Sequence, residues 1–137
     1  MGRLLAIDYG TKRVGIAVTD PMQMIATGLT TVQEKEAHKF VIEYCIKEGV
    51  EAIIVGEPKT LQNQPAEVEV DIAKFISKVQ NSLPKLPVHR VDERFTSTMA
   101  MQSLIAGGVK KKERRKKELL DEVSATIILQ SYLESKS

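Results

Sequence analysis

LLAIDYGTKRVGIAVTD, residues 4–20, is the stretch on which the fold turns. Residues 4–7 form a short apolar run that suits a strand buried on both faces. The run stops at Asp8. Tyr9, Gly10, Thr11 and Lys12 then turn the chain, with Gly10 free to take a positive φ. Val14, Ile16 and Val18 alternate with Gly15, Ala17 and Thr19, the period of a second strand. So short a hairpin makes the two strands antiparallel neighbours and leaves Asp8 at the end of a central strand. An Asp there either caps its own turn or holds a metal or a phosphate site, because carboxylates are rarely buried without a partner.

Outward from the hairpin, residues 27–32 predict a third strand, at an edge of the sheet. The apolar spacing of Ala37, Val41, Tyr44 and Cys45 predicts a helix over 34–48, with Gly49 at its end. Residues 50–55 are a second apolar run, a parallel central strand by type, ended by Gly56. After the polar loop 57–64, Pro65 opens a helix whose inner stripe is Val68, Ile72, Phe75, Ile76, Val79 and Leu83, and Pro84 stops it. Residues 87–91 form a short strand leading into Asp92-Glu93-Arg94. Thr96 or Ser97 caps a helix running to Gly107-Gly108. A last helix covers about 117–133. Three meandering strands followed by strand–helix units describe an α/β fold: a five-stranded mixed sheet, its first three strands an antiparallel meander, with helices on both faces. No repeat, linker or second domain interrupts residues 1–137.

Composition narrows the function. The chain of 137 residues is 42% hydrophobic and 28% charged, ordinary for a soluble protein with one core. Aromatics are 4% and Trp is absent, which argues against a base-stacking platform. A lone cysteine, Cys45, excludes an intrachain disulfide and a multi-cysteine zinc site. No run is long enough to span a membrane and the N-terminus has no signal-peptide pattern, so a cytoplasmic location is expected. The net charge of +2 hides an asymmetry: residues 110–118, KKKERRKKE, carry +5 and the remainder −3.

Three acids draw attention. Asp8 and Glu93 each stand where a strand ends, and in open α/β sheets the functional crevice lies at the carboxyl ends of parallel strands. Asp121 begins a stripe of the last helix that continues through Ala125, Ile128 and Tyr132, so it faces the core; alternatively it merely sits well in the positive first turn. Glu122 lies on another stripe with Thr126. Mg²⁺ or Mn²⁺ accounts for all three carboxylates, because hard cations want oxygen ligands. A pair of such ions roughly 4 Å apart activates water and steadies the leaving oxygen in phosphodiester cleavage.

At these residues the chain resembles a known family. AIDYGTKRVGIAVTD (6–20), the strand ending in Gly56-Glu57-Pro58, VDERFTS (91–97) and LLDEVSATIILQSYL (119–133) are similar, in order and spacing, to the YqgF/RuvX family. The resemblance implies an RNase H-like fold related to RuvC-type Holliday junction resolvases. It also implies a nuclease maturing the 5′ end of the small-subunit ribosomal RNA precursor, with Asp8, Glu93 and Asp121 matching the acidic metal ligands. The chain departs from the pattern at Glu57, where the family carries an apolar residue. It departs again at Ser124, where RuvC-type resolvases carry a second Asp.

The basic residues fit the same picture. Lys12, Arg13 and Arg94 flank the acids as surface charge or as phosphate clamps, the two Arg offering bidentate geometry. Lys110, Lys111, Lys112, Arg114 and Arg115 are either a solvated loop or a holder for a nucleic-acid backbone. His38 and His89 have no ligand spacing, and no Ser or Thr near the rim has a His base. The expected function is a metal-dependent endonuclease acting on structured RNA, with branched DNA as the alternative substrate. Two further readings stand beside it. One is an actin-like or sugar-kinase phosphate site, suggested by the DYGT turn but lacking the second domain such proteins use. The other is a non-catalytic RNA- or ribosome-binding factor.

Overall fold

The computed structural model describes residues 2–59, 66–93 and 117–136. They form β1 (Arg3–Tyr9), β2 (Arg13–Thr19), β3 (Ala26–Gln33), α1 (Glu34–Glu48), β4 (Val50–Glu57), α2 (Glu69–Ser82), β5 (Val88–Asp92) and α3 (Lys117–Lys136). The expected helix start at Pro65, the helix from Thr96 or Ser97 to the Gly107-Gly108 pair, Arg94 and residues 110–116 lie outside the described residues.

The strands make one sheet in the order β3-β2-β1-β4-β5. β1, β2 and β3 are the antiparallel meander expected. β4 joins the free side of β1 in parallel and β5 pairs in parallel beyond it, so β3 is an edge. Two strands run further than the apolar runs suggested. β1 continues through Asp8 to Tyr9, because Tyr9 is itself a core residue: its ring lies 5.2 Å from that of Phe75 and its hydroxyl donates to Glu34 at 2.6 Å. β4 continues through Gly56, which pairs with Val91, to Glu57. Gly10 takes no positive φ. The need there is for space, since a Cβ would lie 2.7 Å from the Arg13 carbonyl oxygen. Gly49 does use the left-handed region, at φ 66°, and donates its N–H to the Cys45 carbonyl to close α1.

Strand alternation sorts the side chains onto two unlike faces. Leu5, Ile7, Tyr9, Val14, Ile16, Val18, Ile53 and Val55 meet α1 through Ala37, Val41 and Cys45, and α2 through Ile72, Phe75 and Val79. The opposite face is covered by α3, whose Ala125, Ile128 and Leu129 pack on Leu4, Ala6, Ala17, Ala52 and Ile54. Helices therefore lie on both faces, in three layers.

The α3 face is built of small residues, and that lets the helix come close. Ala6 pairs with Ala17, and Ala17 with Gly28. One row nearer the carboxyl end of β1, a Cβ on Gly15 would run into the backbone carbonyl of Asp121. At Gly56 a Cβ would lie 2.7 Å from Glu93 Cδ and 2.8 Å from Ile128 Cδ1, whereas at Gly28 its nearest neighbour would be Thr126 Oγ1 at 3.3 Å. Gly15→Ala is expected to cost about 2–3 kcal/mol of stability in urea unfolding, since α3 must lift as a unit, and Gly28→Ala less than about 1 kcal/mol. Equal costs at the two positions would show that α3 does not rest on Gly15.

Candidate active site

The site lies where β1, β4 and β5 end on the α3 face. Leu4 and Ala6 precede Asp8 at two-residue steps and belong to the cluster under α3, so Asp8 points to that side. Val91 belongs to the same cluster, and Glu93, two residues on, continues its face. The Glu93 backbone N–H donates to the Glu57 carbonyl at 3.2 Å, extending the parallel pairing by one residue past β5. Gly56 leaves the room that the Glu93 carboxyl fills. Asp121 lies in the first turns of α3, directly over Gly15, and Gly15 is the cross-strand partner of Asp8.

These positions bring Asp8 and Glu93 into side-chain hydrogen-bond contact, with the Asp121 charge acting on Asp8. Burial dominates the titration of both groups. It pushes Glu93 up to about 9, helped by the negative charge of Asp8 and the hydrogen bond between them. It pushes Asp8 up to about 6; there the hydrogen bond from Glu93 acts downward and the Asp121 charge upward. Both shifts run the same way, so the pair holds protons more tightly than free carboxyls do. Asp121 is held from the other side by Arg13, whose Nε donates to Oδ2 at 3.0 Å. Among the described residues, no group of three His, Cys, Asp or Glu side chains is arranged to hold a metal ion. The donor chemistry nevertheless suits a hard divalent cation: two desolvated, oxygen-bearing carboxyls in contact, with the charge of a third carboxylate acting on one of them.

The other expected residues divide. Lys12 is exposed in the β1–β2 turn, and its carbonyl accepts from the Glu34 N–H at 3.0 Å. Arg13 is engaged with Asp121. Arg94, Lys110, Lys111, Lys112, Arg114 and Arg115 lie outside the described residues. Glu57 is half-buried and 3.7 Å from Lys59 Nζ. Ser124, one turn past Asp121, is buried on the inner side of α3. His38 lies against the Lys78 carbonyl and the Ser82 hydroxyl, and His89 stacks on Tyr132.

Arg90 escaped the sequence reading. Its guanidinium forks onto Glu69 at 2.7 and 2.9 Å and donates to the Val55 and Gly56 carbonyls at 3.2 and 2.9 Å. It thereby ties the ends of β4 and β5 to α2 from the far face, and its charge draws Glu93 downward against burial. The available signal was a cation at an inward position of a short apolar strand, a place that requires a buried partner.

A family model described as "RuvX: Holliday junction resolvase" matches residues 2–135. The chain is 56% identical over 133 residues to a Christiangramia forsetii protein named "Putative pre-16S rRNA nuclease", covering 97% of this chain and 98% of that one. A Phocaeicola vulgatus protein of the same name is 55% identical over 136 residues, covering 99% and 98%. Among solved structures, Thermus thermophilus RuvC in complex with a Holliday junction substrate matches with TM-score 0.62 at 16% identity, covering 100% of this chain and 97% of that one. That likeness bears on the fold, which is the RNase H-like one expected. No helix among the described residues is long and apolar enough to cross a membrane.

The raised carboxyls set a pH dependence. Unfolded, both groups release their protons near pH 4; folded, Asp8 keeps its proton to about 6 and Glu93 to about 9. The native state therefore holds more protons across this window, and its stability falls as pH rises. In divalent-free buffer, unfolding free energy is expected to drop between pH 5 and 9 with a slope on the order of 1 kcal/mol per pH unit. Asp8→Asn, which removes one titrating group and the like charge facing Glu93, makes that slope shallower and leaves the part that burial of Glu93 causes. A wild-type profile that rises toward pH 9 would contradict the buried pair.

Proposed function

The chain belongs to the RuvX family, and on that footing we propose that it is a divalent-metal-dependent endonuclease that hydrolyses phosphodiester bonds in structured RNA. The precursor of 16S ribosomal RNA, the substrate in its relatives' names, is the proposed target, and processing it places the protein in the cytoplasm. The observation that carries this reading is the buried Asp8–Glu93 pair with Asp121 beside it. Burying two acids in contact, with a third charge acting on one of them, is costly for any purely structural purpose.

In this reading Asp8, Glu93 and Asp121 hold Mg²⁺ or Mn²⁺. The ion, once bound, supplies an activated water and charge for the leaving oxygen. The chain's own groups do the remainder. Glu93, as a carboxylate, orients the attacking water. Arg13, released from Asp121, and Arg94 bind the phosphate through their planar forks. Lys12, Lys110, Lys111, Lys112, Arg114 and Arg115 would hold the nucleic-acid backbone. The small residues beneath α3 keep the carboxylates fixed relative to one another while the substrate enters.

The family description keeps the four-way DNA junction as the competing substrate. One assay separates the readings: precursor rRNA and a four-way junction, each with Mg²⁺, Mn²⁺ or EDTA. RNA cleavage is expected with either metal and none in EDTA. Asp8→Asn is expected to lose at least about a hundredfold in rate, as removal of several kcal/mol of charge stabilisation implies, with its circular dichroism unchanged. Cleavage of the junction alone would make the protein a resolvase. Equal cleavage by Asp8→Asn would move the chemistry elsewhere, and no cleavage of either substrate would leave a binding factor on a nuclease scaffold.

A further inference from the structure

Beside Arg13 the surface opens into a cleft of about 600 Å³ between the β1–β2 turn and the β3–α1 junction, walled by Thr11, Lys12, Gln33, Glu34 and Lys35. A second cleft, about 200 Å³, lies between α1 and α2 and is lined by Glu34 and Lys35 again, with Lys74 and Lys78 on its far wall. Sharing Glu34 and Lys35, the two form one trough. It leads from Arg13, the partner of Asp121, past the first turn of α1 and onto α2.

The trough is cationic and its cations are unspent. Lys12, Lys35, Lys74 and Lys78 are exposed, and none forms an ion pair among the described residues. Two carboxylates oppose them. Glu34 accepts the Tyr9 hydroxyl at 2.6 Å, and Asp71 lies one turn before Lys74 on α2. Lys74 and Lys78 are four residues apart on one helix face, a repulsive spacing that a polyanion would relieve. The aromatic rings in the lining, Tyr9 and Phe75, are buried at 8% and 4% exposure and offer no stacking surface. The chemistry is therefore that of phosphate contact without base readout.

We infer that this trough carries the phosphodiester backbone of the nucleic-acid strand running away from the cut, with Lys35, Lys74 and Lys78 as its phosphate contacts. The inference rests on the nuclease reading of the site at which the trough begins. It assigns a binding role to α1 and α2, on the opposite side of the sheet from α3.

The test is binding in EDTA, where nothing is cleaved. Fluorescence anisotropy compares the wild type with the triple variant Lys35→Gln/Lys74→Gln/Lys78→Gln. The probes are a hairpin RNA with a single-stranded extension of about 20 nucleotides and the same hairpin without it; the extended probe outreaches any single phosphate site, and log K falls by about 0.7 per tenfold salt for each single-strand phosphate neutralised. The variant is expected to bind the extended RNA at least about tenfold more weakly, to lose about 2 from the salt slope, and to bind the short hairpin as the wild type does. Unchanged affinity and slope for the extended RNA would overturn the trough, and so would equal losses on both probes. All three lysines are exposed, so the variant should melt as the wild type does. If the wild type cleaves RNA but the triple variant binds normally, the trough alone fails. If the wild type never cleaves while the variant loses the extended RNA, the nuclease reading fails and the trough stands.

Discussion

The backbone of α3 rests on Gly15 so closely that no side chain fits between them, and the geometry of the site descends from that contact. Gly15 is the cross-strand partner of Asp8. Seating the helix there sets Asp121 over Asp8, although 113 positions separate them in the chain. Gly56, on β4, has the matching role, leaving the volume that the Glu93 carboxyl and Ile128 occupy. A sheet face of ordinary β-branched residues would hold the helix further off and spread the three acids apart. The small residues thus give up apolar contact area under α3, and the large ones on the other face compensate by packing Leu5, Ile7, Ile16 and Ile53 against α1 and α2.

The electrostatic arrangement is poised rather than relaxed. Asp8 and Glu93 are desolvated and both drawn toward the protonated form, and Asp121 takes its positive charge from Arg13. Each of these compensations is replaceable by a cation. In the proposed nuclease Glu93 would release its proton on binding the cation, and Arg13 would turn from Asp121 to the phosphate. Arg90 works against collapse of the pair from behind the sheet, its fork on Glu69 and two β4 carbonyls holding the rim that Glu93 extends. Stability surrendered by desolvating the carboxyl pair is of the kind a binding site recovers from its ligand.

Much of this was legible in the residues. Hydrophobic period placed the hairpin, α1, the core stripe of α2 and the inward side of Asp121, because alternation and helical spacing report burial directly. Gly49 announced the end of α1 because a left-handed cap requires it. What pattern could not show was the purpose of a glycine with ordinary dihedrals. Gly56 looked like a terminator and Gly15 like a neutral strand residue, yet both exist for what lies across from them. Tyr9 looked like a turn residue because a polar group ended the apolar run; the strand continues since Tyr9 finds Phe75 and Glu34, partners distant in sequence. Arg90 was missed for the same reason, its meaning residing in Glu69 and the β4 carbonyls rather than in its neighbours.

The proposed chemistry requires Asp8, Glu93 and Asp121 to converge on one cation. A crystal soaked in Mn²⁺, with the metal located by its anomalous scattering, tests this most directly. The predicted result is a peak about 2.1–2.3 Å from oxygens of Asp8 and at least one of Glu93 and Asp121, with Arg13 turned away from Asp121. A peak elsewhere on the protein, or none while the three carboxylates keep the proton and the arginine they hold now, would contradict it.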